Sequence, residues 1–276
     1  MKRYEQKQKN GEMNMKKYIS LLLILSVLTM NVAAESIAPE SYHKPKIHAG
    51  TSSGYSYNWA GYALDGLVGS VNDVKGSWVV PAVTCARKQY TYSAFWIGID
   101  GDNSNTVEQT GTSSDCRKGT PVYYAWYEFY PAYPVNIPIS VSPGNIMSAE
   151  VSYDAGSDLF TVSITNLNTS QTYTATGSVS GAQRNSAEWI AEAPSGGSIL
   201  PLANFGTAYF GQDYTGILST NYATVNGVTG NIGSFAPNPI VKVNTIGMVS
   251  YSGRLKAMPS VLTPDGTSFS VKWYRS

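Results

Sequence analysis

Short segments rich in aromatic and β-branched residues recur from Tyr55 to the end of the chain. Glycine, asparagine, aspartate and proline separate them, as is typical of strands joined by turns. The segments are "SYNWAGYAL", "VKGSWVVPAV", "YTYSAFWIGID", "TPVYYAWYEFYP", "IMSAEVSYD", "LFTVSITNL" and "QTYTATGSV", and "NLNTSQ" between the last two predicts a hairpin. No convincing helical period of apolar residues runs beyond two turns here. The pattern predicts an all-β fold, a two-sheet antiparallel β-sandwich in a single domain.

Side chains alternate between the two faces of a strand, so each segment can be divided into faces. In three segments one face is apolar, for example Phe95, Ile97 and Ile99, whereas the other mixes aromatic residues with carboxylates. These second faces carry Trp96 and Asp100, then Trp126 and Glu128, and then Glu188 and Glu192. Such a surface suits a groove that binds an extended polymer. If the facing is inverted, the tryptophans are instead ordinary core residues.

Glu188 and Glu192 belong to one segment, "AEWIAEAP". On a strand they point the same way, about 13 Å apart, which is too far to share a proton or to flank one bond. On a helix they would be like charges one turn apart, and Pro194 disfavours a helix here. We therefore expect at most one of them to be a reacting group, with its partner on another strand.

The N-terminus indicates an exported protein. From Met15 the chain has two lysines, an apolar run and then Val32-Ala33-Ala34, the order of a cleavable secretory signal. We predict a signal peptide at 1–34, a short propeptide or linker at 35–54 and the β-sandwich domain at 55–276. The protein is then secreted and extracellular, with no membrane attachment after signal cleavage. An uncleaved membrane anchor is the alternative.

Charge and histidine content limit the function classes. Charged residues make up 13% of the chain, and residues 55–276 contain no basic run, so a nucleic-acid partner is not expected. Both histidines, His43 and His48, precede that domain. A Ser-His-Asp triad, a Cys-His pair and a histidine-based zinc site are therefore excluded there. Enzymatic proton transfer would have to use carboxylates, and we expect no metal, no cofactor and a monomer.

Two other features have simple interpretations. Cys85 and Cys116 are the only cysteines, and in an exported protein such a pair predicts a disulfide; two free thiols are the alternative. Asp100 and Asp102 in "DGDN" could bind calcium, but they lack a complete loop pattern, and a turn is the expected structure.

Seven motifs in order resemble those of the glutamic peptidases, the eqolisin family. They are "YNWAGYAL", "GSWVVP", "FWIGIDGD", "VEQTG", "YYAWYEFYP", "AEWIAEAP" and "PLANFGTAYF", covering roughly residues 56 to 210. The resemblance implies a concanavalin-like or jelly-roll β-sandwich, secretion and endopeptidase activity in acid on a polypeptide substrate. It also implies a catalytic pair of Gln109 and Glu192.

The resemblance further implies which residues surround the catalytic pair. These substrate-binding positions are Trp59, Trp96, Asp100, Trp126, Glu128 and Glu188. Our hypothesis is that ionised Glu192 takes a proton from water and then returns it to the leaving nitrogen. The Gln109 side-chain amide would donate to the oxyanion while its carbonyl oxygen orients the water.

Sugars also bind to aromatic surfaces that carry carboxylates. A carbohydrate-binding or glycoside-hydrolysing sandwich is therefore the alternative function. A glycosidase needs two carboxyl groups roughly 5 to 10 Å apart, and Glu128 with Glu192 would be such a pair if their strands were neighbours.

Overall fold

The structure is a computed structural model, and it describes residues 50–52 and 54–276. The predicted signal peptide and most of the predicted propeptide or linker lie outside the described residues. Gly50–Ser52, at the end of that segment, form a strand that pairs with the start of the domain.

Strands in the described residues form two sheets, which we call the front sheet and the back sheet. The front sheet consists, in spatial order, of β8 (Val135–Ile137), β7 (Thr120–Tyr130), β6 (Val107–Arg117), β5 (Ala94–Ile99), β12 (Ser186–Glu192), β3 (Trp59–Asp65) and the first part of β16 (Lys242–Val249). Each neighbouring pair in it is antiparallel.

The back sheet is larger and less regular. It contains β11 (Gln171–Gly177), β10 (Leu159–Asn166), β9 (Ile146–Asp154), β4 (Val71–Val79), β13 (Thr207–Phe210), β14 (Tyr222–Val225), β15 (Val228–Asn231), β18 (Phe269–Trp273), β17 (Leu255–Pro259), the last part of β16, β2 (Tyr55–Ser56) and β1 (Gly50–Ser52). A short helix α1 (Gln212–Thr215) and a 3-10 helix (Ile232–Phe235) complete the described elements. The antiparallel β-sandwich prediction is confirmed, with one short parallel pairing between β2 and β16.

Two tryptophans join the sheets across the core. Trp189 of the front sheet donates from Nε1 to the Lys75 carbonyl oxygen of the back sheet at 2.9 Å. Trp78 of the back sheet donates in the other direction, to the Thr112 hydroxyl, also at 2.9 Å. Gly76 makes room for the first indole, since a Cβ there would lie 3.0 Å from the ring. Both rings are fully buried, and their polar atoms are satisfied, as a stable interior requires.

The predicted alternation of faces is correct in all three segments. Phe95, Ile97 and Ile99 belong to the main core between the sheets, together with Trp189. Trp96 and Trp126 belong to a separate cluster on the other face of the front sheet. The alternative in which these tryptophans fill the main core is therefore wrong.

The predicted disulfide is present. Cys85 and Cys116 are joined, with their Cα atoms 5.5 Å apart, and 31 positions separate them in the sequence. Closing a loop of that length is worth about 3.7 kcal/mol in the chain-entropy model. The bond fastens the end of β6 to the loop before β5.

In the part of the chain that the structure describes, no helix has the length and apolar character needed to cross a membrane.

Candidate active site

One row of paired residues crosses the outer face of the front sheet. Gly98 of β5 lies in the middle of the row, with Gln109 of β6 on one side and Glu188 of β12 on the other. Glu128 of β7 pairs with Gln109 and extends the row. Because paired residues point to the same face, Gln109 and Glu188 extend over a glycine that has no side chain. Their Cα atoms are roughly 10 Å apart, within reach of two convergent side chains.

The Gln109 side chain is oriented by its neighbour. Its Nε2 donates to Oε2 of Glu128 at 2.9 Å, which leaves the second N–H of the amide for another acceptor. Its Oε1 has no hydrogen-bond partner among the described residues, although Gln109 is fully buried. The amide therefore offers one donor and one acceptor to a bound molecule.

Glu188 is a fully buried carboxyl group. Neither of its oxygens makes a hydrogen bond of ordinary geometry to a described residue. Burial raises the pKa of Glu188 well above its usual range, and the nearby charges of Asp102, Asp100 and Asp65 raise it further. The Ser186 hydroxyl offsets part of this rise in the pKa. The protonated form of Glu188 is consequently favoured up to a higher pH than in an ordinary glutamate.

Glu192 lies in a different row, next to Trp59 and Ala94. It is four residues further along β12 than Glu188, so its Cα is roughly 16 Å from that of Gln109. Trp96 donates from Nε1 to Oε2 of Glu192 at 2.7 Å. The structure therefore brings Gln109, Glu128 and Glu188 together, and it does not bring Glu192 to Gln109.

Tryptophans lie between and beside these two rows. Trp59 and Trp96 meet edge to face, with ring centroids 5.0 Å apart. Trp126 pairs with Gly111, next to Gln109 on the same face, and its Nε1 has no partner among the described residues. Buried polar atoms without partners are rare in folded proteins, and Gln109, Glu188 and Trp126 carry such atoms on one face. This arrangement indicates a binding site.

Asp100, expected at the site, has a structural role in the chain. It has a positive φ of 69° and accepts backbone N–H groups from Gln183, Arg184 and Asn185 at 2.7, 2.8 and 3.0 Å. Its carboxylate thus holds the turn that leads into β12, where Glu188 lies. Asp100 therefore affects Glu188 in two ways: it fixes the backbone before β12, and its charge raises the pKa of Glu188.

Sequence reasoning does not single out Asp65. Burial raises its pKa to about 7, and the charge of Asp102 contributes to the rise. Asp65 pairs with Ser186 at the end of β3, two residues from the row of Glu188. No sequence signal marks it, because an aspartate that ends a strand before a glycine is typical of a turn.

The outer face is enclosed in this structure. Gln109, Glu128, Glu188 and Glu192 are all at most 1% exposed, and the open groove expected from sequence is not observed. Entry of a polymer therefore requires this face to be uncovered. Among the described residues, no group of three or more histidine, cysteine or acidic side chains could hold a metal ion.

Gly98 provides a direct test of this geometry. A Cβ at this position would lie 3.1 Å from Cβ of Gln109 and 3.1 Å from the Trp96 ring. We expect Gly98→Ala to lower the kcat of the reaction carried out at this site by roughly 100-fold, since displacements of about 1 Å can cost that much. The melting temperature should fall by several degrees while the protein stays folded, because the added Cβ would also lie 3.0 Å from the Glu108 carbonyl oxygen. An alanine variant with full activity would show that the two side chains do not converge over Gly98.

Comparisons with known proteins identify the family. The model of the peptidase A4 family matches residues 57–232. Aspergillopepsin-2 of Aspergillus niger is 33% identical over 190 residues, which cover 60% of this chain and 66% of the relative, just under two thirds of its length.

Solved structures have the same fold. Scytalido-glutamic peptidase, solved with a transition state analog inhibitor, superimposes with a TM-score of 0.63 at 23% identity, covering 79% of this chain and 98% of that one. Aspergilloglutamic peptidase from Aspergillus niger superimposes with a TM-score of 0.54 at 28% identity, covering 67% and 99%. The family match spans more than half of the chain, and with it the resemblance found in the motifs is confirmed: the chain belongs to the peptidase A4 family, the glutamic peptidases.

Proposed function

We propose that this protein is a secreted endopeptidase that hydrolyses polypeptides in acid, with Gln109 and Glu188 as its reacting pair. The observation that carries the proposal is the row in which these two side chains flank Gly98 on one face of the front sheet. Membership of the peptidase A4 family supports the reaction class and a polypeptide substrate.

The row has the groups that peptide hydrolysis needs. The carbonyl oxygen of Gln109 accepts a hydrogen bond from the attacking water, and the free N–H of its amide donates to the oxygen of the scissile carbonyl. Glu128, which accepts the other N–H at 2.9 Å, keeps the amide in this orientation. An amide does not titrate, so only the carboxyl group transfers protons.

Glu188 acts first as a base and then as an acid. Because the pKa of Glu188 is raised, its carboxyl group is protonated in acid when the reaction begins, and it has one O–H donor and one acceptor oxygen. It takes a proton from the water through the acceptor oxygen while giving its own to the carbonyl oxygen, forming a neutral tetrahedral diol. The same carboxyl group then protonates the leaving nitrogen and recovers a proton from the diol as the C–N bond breaks. Water and peptide become an acid and an amine, with the enzyme unchanged.

The assignment of Glu192 as the reacting carboxyl stays a prediction, but the register favours Glu188. Glu192 is roughly 16 Å from Gln109 by strand spacing, and one of its oxygens already accepts a hydrogen bond from Trp96. In our proposal Glu192, Trp59 and Trp96 bind the extended substrate further along the same face.

The glycosidase alternative receives no support. Its pair of Glu128 and Glu192 would have to come from neighbouring strands, and β5 and β6 lie between β7 and β12.

Digestion of casein or acid-denatured haemoglobin between pH 2 and 5 tests the proposal. We expect cleavage that chelators and serine or cysteine reagents do not inhibit. Its rate should fall as the pH rises through the raised pKa of Glu188, because the reaction begins from the protonated carboxyl. Glycan cleavage without proteolysis, or proteolysis that needs a metal, would contradict the proposal.

A further inference from the structure

A cavity lies beyond the Glu192 end of the front sheet. It has a volume of about 340 Å³, and the residues that line it include Tyr57, Leu200, Pro201, Tyr251 and Lys256. The walls are mostly apolar and aromatic, and the Tyr57 and Tyr251 rings lie 4.5 Å apart. A cavity of this size accommodates one or two amino-acid side chains.

One basic side chain, that of Lys256, lines this cavity. It is 7% exposed, which is unusual for a lysine. No described residue forms an ion pair with it, including Ser276, the last residue of the sequence, which lines the same cavity. None of the described residues that line the cavity has an acidic side chain. Burial lowers the pKa of Lys256 accordingly, and a bound carboxylate would reverse that effect. A buried ammonium group in an apolar cavity calls for an anionic partner.

The cavity lies in the direction in which two strands of the front sheet run from the reacting row. Two neighbouring strands lead to it, because β3 begins at Trp59, two residues after Tyr57, and β12 ends at Glu192, shortly before Leu200 and Pro201. The two segments stay paired beyond the ends of β3 and β12, where the Ala193 N–H donates to the Asn58 carbonyl oxygen at 2.8 Å. From Glu188 to Tyr57 the distance is roughly 20 Å, about six residues of an extended peptide.

We propose that the cavity around Lys256 is a remote substrate subsite that binds a carboxylate next to an apolar or aromatic group, about six residues from the bond that is cut. This inference rests on the proposed function and specifies its substrate. The carboxylate could belong to an aspartate or glutamate side chain or to the C-terminus of a peptide. Both sources present the same anion to the ammonium group, and the aromatic wall binds the neighbouring side chain.

Calorimetric titration of the full chain at pH 6 tests the site without requiring turnover. Acetyl-Phe-Glu-amide against acetyl-Phe-Gln-amide tests the side-chain source, and acetyl-Gln-Phe with a free or an amidated C-terminus tests the terminal source. We expect one carboxylate probe to bind about tenfold more tightly than its amide. Lys256→Met should remove this difference, Lys256→Arg should keep part of it, and the exposed Lys272→Met, a matched control, should keep all of it.

A second measurement assigns the site to the substrate. Cut sites in a denatured protein digested by wild type and by Lys256→Met are mapped by mass spectrometry at the highest pH that supports cleavage. We expect wild-type cuts to be enriched several-fold in a carboxylate about six residues away, and the variant to lose the enrichment. Equal binding of carboxylate and amide probes would overturn the subsite. Selective binding of a carboxylate probe without enrichment of carboxylates near the cut sites would overturn the role of the cavity in substrate selection. A wild-type protein that cleaves no polypeptide would instead overturn the proposed function.

Discussion

Glu188→Gln is expected to lower the kcat for peptide hydrolysis by about 10² to 10⁴-fold, the usual contribution of a positioned acid or base. The glutamine has the same shape but cannot transfer a proton to the leaving nitrogen. Gln109→Ala should cost about 10² to 10³-fold, as the loss of one oxyanion donor does elsewhere. A fluorogenic peptide built around a cut site mapped in a protein digest gives kcat and KM, and circular dichroism confirms folding.

The matched variant is Glu192→Gln. We expect it to raise KM and to lower kcat by no more than about tenfold, because in our proposal Glu192 contacts substrate away from the bond that is cut. If Glu192→Gln abolishes turnover and Glu188→Gln does not, the original assignment of Glu192 is right and the argument from the register fails.

The folded protein should be most stable in acid and should lose stability as the pH rises. Burial raises the pKa of Glu108 to about 9, and the charge of Asp100 contributes. Folding favours the protonated form of Glu108, whereas the unfolded chain has an ordinary glutamate pKa. The stabilisation that Glu108 gives the folded state is therefore complete below the ordinary glutamate pKa and is lost as the pH approaches 9. One such group can remove up to roughly 6 kcal/mol of unfolding free energy across that range. Urea unfolding between pH 4 and 9 measures it.

Glu108→Gln should remove the part of this pH dependence that Glu108 contributes, while the raised pKa values of Glu188 and Asp65 keep the rest. It should stabilise the protein at pH 7 by about 3 kcal/mol, since the amide cannot ionise. Glu150→Gln is the control, because its side chain is 46% exposed and pairs with Lys75 at the surface. It should change the unfolding free energy by at most about 1 kcal/mol. A wild type whose urea midpoint rises between pH 5 and 9 would contradict the expectation for Glu108.

Alternation along single strands predicted much of this molecule. It assigned the faces of Trp96, Trp126 and the two glutamates correctly, because the side-chain period of a strand is two residues wherever the strand lies. The presence of two cysteines and the predicted export signal were sufficient to predict the disulfide.

The choice between Glu188 and Glu192 was beyond that reasoning. The two share a face of one strand, and which of them meets Gln109 depends on the register of β12 against β5 and of β5 against β6. Register depends on how distant segments pack, and no local pattern in "AEWIAEAP" encodes it. The role of Asp100 was hidden for the same reason, since its partners at 183–185 are remote in sequence.

β16 belongs to both sheets, pairing through Lys242–Ile246 with β3 and through its last residues with β2 and β17. Because one continuous strand runs from one sheet into the other, the two sheets are covalently connected along this edge, and they cannot separate there without breaking the pairing of β16. The strand that carries Gln109 therefore belongs to a framework whose two layers share one continuous chain segment.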